Sequence, residues 1–305
     1  MPTQIIDLGE ATPFDQLLIA LVGKEKSGKS RLAATGRKPV LFFDFDGRAA
    51  SVAGTKGVYA ISYHDTVGYK QPDVFADFIS KLTQLEQCKC DLSQLGFACE
   101  PGTVFAKTIV LDSMARMAKA AMRYILANGS KGITRTIGVS GMQINFPGGF
   151  DAWNAEMCTI EDCLLRVFAL KTDVIAIFHE EAEESPESTP EHTIMTGKVG
   201  IFPARYKRLI GYFNEVWRIE RQAAVGTSAQ SAAPTVRTAP DYTFALGASC
   251  LNIDVSEAPN IEGMIAKHLS KGQGLTTTLG PSMPTLTAQP PIVSLVQPLA
   301  LTETK

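Results

Sequence analysis

GKEKSGKS, residues 23–30, directly follows the almost continuously apolar run QLLIALV, residues 16–22. The apolar run suits a strand that is buried on both faces of a parallel sheet, and a short helix is expected from about Lys29. Glycines at both ends of the loop, Gly23 and Gly28, let its backbone N–H groups wrap around a phosphate. The stretch therefore predicts a complete Walker A motif, or P-loop, between a buried strand and a helix start.

The residues of this motif have distinct predicted roles. Lys29 is expected to reach the β and γ phosphates of ATP, and the hydroxyl of Ser30 is expected to ligate Mg²⁺. We predict an ATP-binding set that consists of Gly23, Lys24, Glu25, Lys26, Ser27, Gly28, Lys29, Ser30 and Arg31.

Further apolar runs alternate with helical patterns along the chain. The runs that read as strands are VLFFDFD at 40–46, GVYAIS at 57–62, TIVLDS at 108–113 and DVIAIFH at 173–179. Amphipathic helices are predicted after Pro72, through MARMAKAAMRYILA and around DAWNAEMCTIEDCLLRVFALK. Strands that alternate with helices predict an α/β fold with a mostly parallel sheet flanked by helices.

Acidic and polar side chains follow several of these strands. Asp112 closes TIVLD and is the candidate Walker B ligand of Mg²⁺, although an acid at a strand end also serves as a turn or helix cap. Asp44 and Asp46 alternate along their strand and are expected to share a face, so one of them is a candidate to orient the attacking water. A turn-forming acid before Gly47 is the alternative. His179 is a candidate γ-phosphate contact or a structural histidine.

Composition and segment boundaries narrow the function classes. The net charge of −2 excludes a global basic field, and no apolar stretch reaches the ~18 residues of a membrane span, so we expect a cytoplasmic protein without a membrane partner. The spacing of Cys88, Cys90 and Cys99 favours free thiols over a zinc site.

The predicted segments are an ATPase core at 1–222, a mobile loop at 223–240, a small β-containing strand-helix extension at 241–270 that packs on the core and a disordered tail at 271–305.

Taken together, the P-loop, the strand that ends acid-x-acid, the strand IVLDS and the later strand that ends in a polar residue resemble the RecA-like ATPases. The chain is most similar to the bacteriophage-encoded AAA or RecA-like proteins, some of which act in single-strand annealing and recombination. The resemblance makes Asp46 the counterpart of the catalytic glutamate and His179 the counterpart of the glutamine that senses the γ-phosphate. It implies a catalytic site with Lys29, Asp46 and His179. Because the aspartate side chain is shorter than that of glutamate, it also implies slow ATP hydrolysis.

The resemblance also implies partners. Residues 128–149 and 180–198 would correspond to two DNA-binding loops, and the first carries Lys131, Arg135 and Phe146. The second is acidic, so we expect weak binding of single-stranded DNA through the first alone. A homo-oligomer is expected, in which a basic residue of the neighbouring subunit completes each active site. Replication or recombination proteins of phage or host are also expected as partners. The candidate basic residues are Lys198, Arg205, Lys207 and Arg208, and the candidate acidic residues are Glu180, Glu181, Glu183, Glu184, Glu187 and Glu191.

Two other functions fit the same motifs. A P-loop kinase for a small molecule would use the polar stretches as an acceptor pocket and lid. A nucleotide-gated interaction module would bind ATP, hydrolyse it negligibly and recruit a protein through its tail. No motif that reads the base, such as NKxD, separates ATP from GTP.

Overall fold

A computed structural model describes residues 16–63, 73–128, 132–137, 142–147, 149–184, 195–202, 204–221, 234–240, 249, 251 and 253–273. Within these residues the strands are β1 (Leu18–Gly23), β2 (Val40–Asp44), β3 (Val58–Ser62), β4 (Thr108–Asp112), β5 (Gly132–Ile137), β6 (Met142–Pro147), β7 (Asp173–Glu184), β8 (Met195–Phe202), β9 (Glu215–Arg221), β10 (Pro234–Arg237) and β11 (Ser256–Glu257). The α-helices are α1 (Lys29–Ala33), α2 (Asp73–Gln87), α3 (Met114–Ala127), α4 (Phe150–Ala169) and α5 (Ile261–Gln273). Short 3₁₀ helices span Ala49–Val52, Leu92–Leu95 and Ala204–Tyr212.

The main sheet is parallel through its centre. Its strand order is β11-β10-β9-β1-β7-β4-β2-β3, and the strands from β9 to β3 run parallel to one another. Antiparallel strands occur only at its margins in the described part of the chain, where β10 and β11 extend the β9 side and β8 pairs with β7. The predicted α/β fold, with a mostly parallel sheet between helices, is confirmed.

Both faces of this sheet are buried, and strand β1 shows why its sequence is apolar throughout. Ala20 and Val22 belong to the core on the face covered by α2, α3 and α4. Ile19 and Leu21 belong to the core on the opposite face, which also includes Leu32 of α1 together with Ile261 and Met264 of α5. Alternate residues of a strand point to opposite faces, so every side chain of a strand that is covered on both sides faces a hydrophobic core.

Parallel pairing brings the carboxyl ends of the central strands to one edge. Gly23 of β1 is in register with His179 of β7, and Asp44 of β2 is in register with Asp112 of β4. All four residues follow or end apolar runs in the sequence. Open α/β sheets place their ligands at this edge, so the fold assembles the candidate residues in one place.

The structure differs from the predicted boundaries in several places. Residues 132–147, predicted as part of the first DNA-binding loop, contain the antiparallel pair β5-β6, with Ile137 opposite Met142. The β-branched residues in GITRTI favour a strand despite the surrounding glycines. Strand β7 extends beyond the predicted end at His179 to Glu184 because β8 pairs with its continuation.

The C-terminal part adds two elements to the sheet and one helix. Residues 234–237, inside the predicted mobile loop, form β10, and α5 continues past residue 270 to Gln273. The backbone N–H of Ile261 donates to Oγ1 of Thr35 at 2.9 Å, which joins α5 to the end of the P-loop helix region. Residues 222–233 and 274–305 lie outside the described residues. None of the described helices is both long and apolar enough to cross a lipid bilayer.

Candidate functional site

The P-loop requires glycine at two positions for different reasons. Gly28 has φ 106°, a left-handed conformation that side chains with a Cβ rarely adopt. At Gly23, a Cβ would lie 2.7 Å from the carbonyl oxygen of Ile219 in β9. The loop therefore depends on glycine at Gly28 for its turn and at Gly23 for its close approach to a neighbouring strand.

Lys29 lies inside this loop and is buried. Its ammonium donates to the carbonyl oxygens of Gly23 and Lys24, both at 2.6 Å. Burial lowers the pKa of Lys29 to about 8, although the negative charges of Asp112 and Glu180 oppose that decrease. A bound phosphate would stabilise the charged ammonium, which fits the predicted role of Lys29.

Ser30 and Asp112 meet beside the P-loop, as predicted from the sequence. The hydroxyl of Ser30 donates to Oδ2 of Asp112 at 2.6 Å. Burial raises the pKa of Asp112 to about 6, and the hydrogen bond from Ser30 opposes that increase. A hydroxyl beside a buried carboxylate is an oxygen donor set of the kind that Mg²⁺ prefers, so these two residues fit a magnesium site. Ser113 is the N-cap residue of α3, but its side chain makes no capping hydrogen bond.

Asp44 and Asp46 have different partners, although either was a candidate to orient the attacking water. Strand β2 ends at Asp44, and Asp46 lies in the segment that follows it. The carboxylate of Asp44 is buried and accepts the backbone N–H groups of Arg48 at 3.0 Å and Ala49 at 2.9 Å. Asp44 therefore holds the turn after β2, which is the turn-forming role that was the alternative for this pair.

Asp46 instead faces a group of cationic or ionisable side chains. Its carboxylate lies 3.4 Å from Nε2 of His179, 3.2 Å from Nε of Arg116 and 3.6 Å from Nε of Arg48. Burial favours a higher pKa for Asp46, but the contact with His179 and the charges of Arg48 and Arg116 hold its pKa below the usual value. Asp46 is thus a stable carboxylate at neutral pH.

These residues surround one cavity of about 460 Å³. Its volume is in the range of small-molecule sites. Of the predicted ATP-binding set, Lys26, Gly28, Lys29, Ser30 and Arg31 line it, whereas Gly23, Lys24, Glu25 and Ser27 do not. The complete lining is Lys26, Gly28, Lys29, Ser30, Arg31, Asp46, Arg48, Ala50, Ser51, Asp112 and His179.

Sequence reasoning missed two arginines of this site. Arg48 lies two residues after Asp46, in the turn that Asp44 holds, and it lines the same cavity as Lys29. Arg116 is in the first turn of α3, directly after the Walker B strand. In both cases the sequence signal is proximity to the carboxyl end of a strand.

Lys207 and Arg208, two of the predicted basic residues, do not line this cavity. Arg208 lies 3.4 Å from Glu161 of α4, and Lys207 is exposed. Lys198 and Arg205 lie in β8 and in the 3₁₀ helix Ala204–Tyr212, respectively. The role of these four residues toward a neighbouring subunit stays a prediction.

The predicted DNA-binding segments are described only in part. Arg135 lies in β5 and Phe146 in β6, whereas Lys131, Glu187 and Glu191 lie outside the described residues. Glu180 differs from the expectation of a repelling surface charge, because its nearly buried carboxylate pairs with Arg218 of β9 at 3.0 Å. Among the described residues no cluster of three potential ligands could hold zinc, and Cys88, Cys90 and Cys99 are free thiols.

Comparisons with known proteins agree with the P-loop site. A family model described as an AAA domain matches residues 15–244. Among solved structures, a KaiC-like protein from the hyperthermophilic archaeon Pyrococcus horikoshii is 11% identical with a TM-score of 0.35, covering 72% of this chain and 77% of its own. The RadB recombinase is 12% identical with a TM-score of 0.33, covering 72% and 79%. No curated protein matches the chain. Because the family match spans most of the chain and contains the P-loop, the chain belongs to the AAA domain family.

Proposed function

We propose that this protein binds ATP with Mg²⁺ and hydrolyses it slowly. One observation carries the proposal: the buried ammonium of Lys29 and the hydrogen-bonded pair Ser30 and Asp112 line the same cavity as Asp46 and His179. A cation for the phosphates, oxygen ligands for a metal ion and a carboxylate for water are the parts that phosphoryl transfer to water requires.

In this mechanism Lys29 binds the β and γ phosphates, and Asp46 orients the attacking water. Ser30 and Asp112 would hold Mg²⁺, which when bound neutralises charge on the phosphate oxygens. The water oxygen forms a bond to the γ-phosphorus, and the bond to the β–γ bridging oxygen breaks. The electron pair of that bond goes to ADP, and a water proton passes to the released phosphate.

Slow turnover follows from the surroundings of Asp46. The aspartate side chain is one methylene shorter than the glutamate expected from the family resemblance. Its carboxylate also contacts His179, Arg48 and Arg116, and each contact lowers the basicity of the carboxylate toward water. We infer a rate limited by positioning and electrostatics rather than by a strong general base.

The biological role is proposed from the family resemblance. We infer that ATP binding serves DNA recombination, repair or replication, in a phage-encoded protein of the host cytoplasm. Binding of single-stranded DNA through residues 128–149, assembly into a homo-oligomer and contacts with replication or recombination proteins belong to the same proposal.

A nucleotide-gated interaction module is the second candidate, and the contacts of Asp46 support it. A carboxylate that contacts three cationic or ionisable side chains is poorly placed to accept a hydrogen bond from water. If these contacts persist with ATP bound, the protein would hold ATP without hydrolysing it.

Steady-state phosphate release, measured with and without single-stranded DNA, separates the candidates. Hydrolysis that DNA stimulates supports the recombination role. Tight ATP binding without turnover supports the interaction module, and turnover only with a small-molecule acceptor supports a kinase. A wild-type protein that neither binds nor hydrolyses ATP overturns the proposed function.

A further inference from the structure

The position of Arg48 is set by the carboxylate of Asp44. The buried side chain of Asp44 accepts two successive backbone N–H groups, those of Arg48 and Ala49. Hydrogen bonds to a buried carboxylate are stronger than those between neutral groups. The backbone of Arg48 is therefore fixed to the end of β2, and only its side chain is free to reorient.

The Arg48 side chain reaches into the cavity that holds Lys29. Its contacts there are Oδ2 of Asp46 at 3.6 Å and Oε2 of Glu25, in the P-loop, at 3.8 Å. The buried ammonium of Lys29 lines the same cavity. Two cations that repel each other across one cavity create a site for an anion placed between them.

The present partners of Arg48 are easily exchanged. Both contacts are longer than a hydrogen bond, and 39% of the Arg48 side chain is exposed. The pair with the exposed Glu25 contributes little to stability. The buried side chain of Asp46 keeps its contacts with Arg116 and His179 when Arg48 leaves, so a phosphate can replace the carboxylates at small cost. A guanidinium offers a planar pair of N–H donors that matches two phosphate oxygens.

We propose that Arg48 binds the γ-phosphate of ATP within its own subunit and acts as a catalytic arginine in cis. This inference rests on the proposed ATPase function and assigns the cation that stabilises the transferring phosphoryl group. When Arg48 moves to the phosphate, Asp46 loses one of its positive neighbours and is freer to orient water. Charge stabilisation by such an arginine accelerates phosphoryl transfer by about 10³ to 10⁵.

A cis arginine replaces the neighbour's residue that the family resemblance implies. Of the basic residues suggested for that role, Arg208 already pairs with Glu161, and neither Lys207 nor Arg208 lines the cavity. Arg48 does line it, and it belongs to the same chain as Lys29.

The first experiment compares Arg48→Ala and Arg48→Lys with Arg166→Ala as a matched control. Arg166 also pairs with a carboxylate, Glu86 at 2.7 Å, but links α4 to α2 away from the cavity. For Arg48→Ala we expect weaker binding of ATP, ADP affinity within about twofold of wild type and a kcat at least about 100-fold lower. Arg48→Lys should recover part of the ATP affinity and little of kcat, because an ammonium lacks the planar pair of donors.

A second experiment separates action in cis from action in trans. Arg48→Ala is mixed with Lys29→Ala, which has an intact Arg48 but a defective P-loop. If Arg48 acts in cis, the mixture has no more activity than the two variants alone. Activity restored by mixing would show that Arg48 serves a neighbouring subunit and would overturn the proposal.

The outcomes also distinguish this inference from the proposed function. An active wild-type protein whose Arg48→Ala variant binds ATP and turns over normally overturns only the role of Arg48. If Arg48→Ala fails to fold, the ratio of ATP affinity to ADP affinity is measured in Arg48→Lys instead. Equal losses of affinity for the two nucleotides would assign Arg48 a structural role and overturn the proposal.

Discussion

Nε2 of His179 lies 3.4 Å from Oδ2 of Asp46. The first residue belongs to β7 and the second follows β2, and β4 lies between these two strands in the sheet. The proposed γ-phosphate contact and the proposed water-orienting carboxylate are therefore in direct contact. A change at either residue is expected to alter the charge and the position of the other.

Asp46→Ala should retain or strengthen ATP binding while it slows turnover. Removal of the carboxylate leaves the positive charges of Arg48 and Arg116 free to attract the phosphates, but no group orients the water. Affinity is measured by titration with a fluorescent ATP analogue and turnover by phosphate release. Asp46→Glu is the control, because it keeps the charge and supplies the longer side chain. Normal turnover in Asp46→Ala would assign water positioning to another group.

Lys29→Ala should abolish measurable ATP hydrolysis and leave the fold intact. The ammonium donates only to P-loop carbonyl oxygens among its described hydrogen bonds, and its burial disfavours its charge, so the folded state loses little without it. Circular dichroism and urea unfolding check the fold. Lys56→Ala is a suitable control, because Lys56 is exposed and pairs with Glu100. A folded Lys29→Ala protein with unchanged turnover would contradict the P-loop assignment.

Asp112→Asn should weaken nucleotide binding with Mg²⁺ more than binding without it. The amide keeps one oxygen but loses the negative charge that a divalent cation requires. Ser30→Ala should show the same pattern, and the double variant should lose less than the sum of the two, because the side chains are in contact at 2.6 Å. Isothermal titration with ATP, with and without Mg²⁺, measures these losses. Equal losses under both conditions would make Asp112 structural.

The affinity for ATP with Mg²⁺ should be highest between about pH 6 and pH 8. Asp112, whose pKa is raised to about 6, is increasingly protonated below that pH and then ligates a cation poorly. Lys29, whose pKa is lowered to about 8, is increasingly neutral above that pH and then attracts phosphate less. Asp112→Asn should remove the decrease at low pH and leave the decrease at high pH. An affinity that does not change across this range would contradict both assignments.

Binding of single-stranded DNA should be weak, with a dissociation constant of about 10⁻⁴ to 10⁻⁶ M at physiological salt and a shallow salt dependence. We expect Lys131 and Arg135 to contact phosphates and Phe146 to stack on a base, so replacing both basic residues by alanine should remove most binding. Fluorescence anisotropy of a labelled single-stranded oligonucleotide measures the binding to the wild-type protein and to the double variant.

The acidic segment provides the complementary DNA test. Replacing Glu181, Glu183 and Glu184 by glutamine should strengthen binding, because these changes remove repulsion from the phosphates. Glu180→Gln is expected to destabilise the protein instead, since it removes one of the two carboxylates that pair with the nearly buried Arg218. Nanomolar binding that survives replacement of Lys131 and Arg135 would place the DNA site elsewhere.

Local patterns in the sequence determined the frame of this protein. The apolar run before Gly23, the spacing of the two P-loop glycines and the acid at the end of TIVLD correctly predicted β1, the P-loop and the end of β4 at Asp112. These features depend on neighbouring residues alone, because burial on both faces of a strand and the conformation of a glycine are read within a few positions of the chain.

Tertiary structure alone decided how the charged residues are used. From the sequence alone, Asp44 and Asp46 are equivalent candidates. In the structure, Asp44 holds a turn by accepting backbone N–H groups, and Asp46 contacts His179. The acidic segment predicts that Glu180 is exposed, but Glu180 pairs with Arg218 of β9. The partner of a charged side chain depends on which strands lie next to each other and where each strand ends, and these relationships arise only when distant segments pack together.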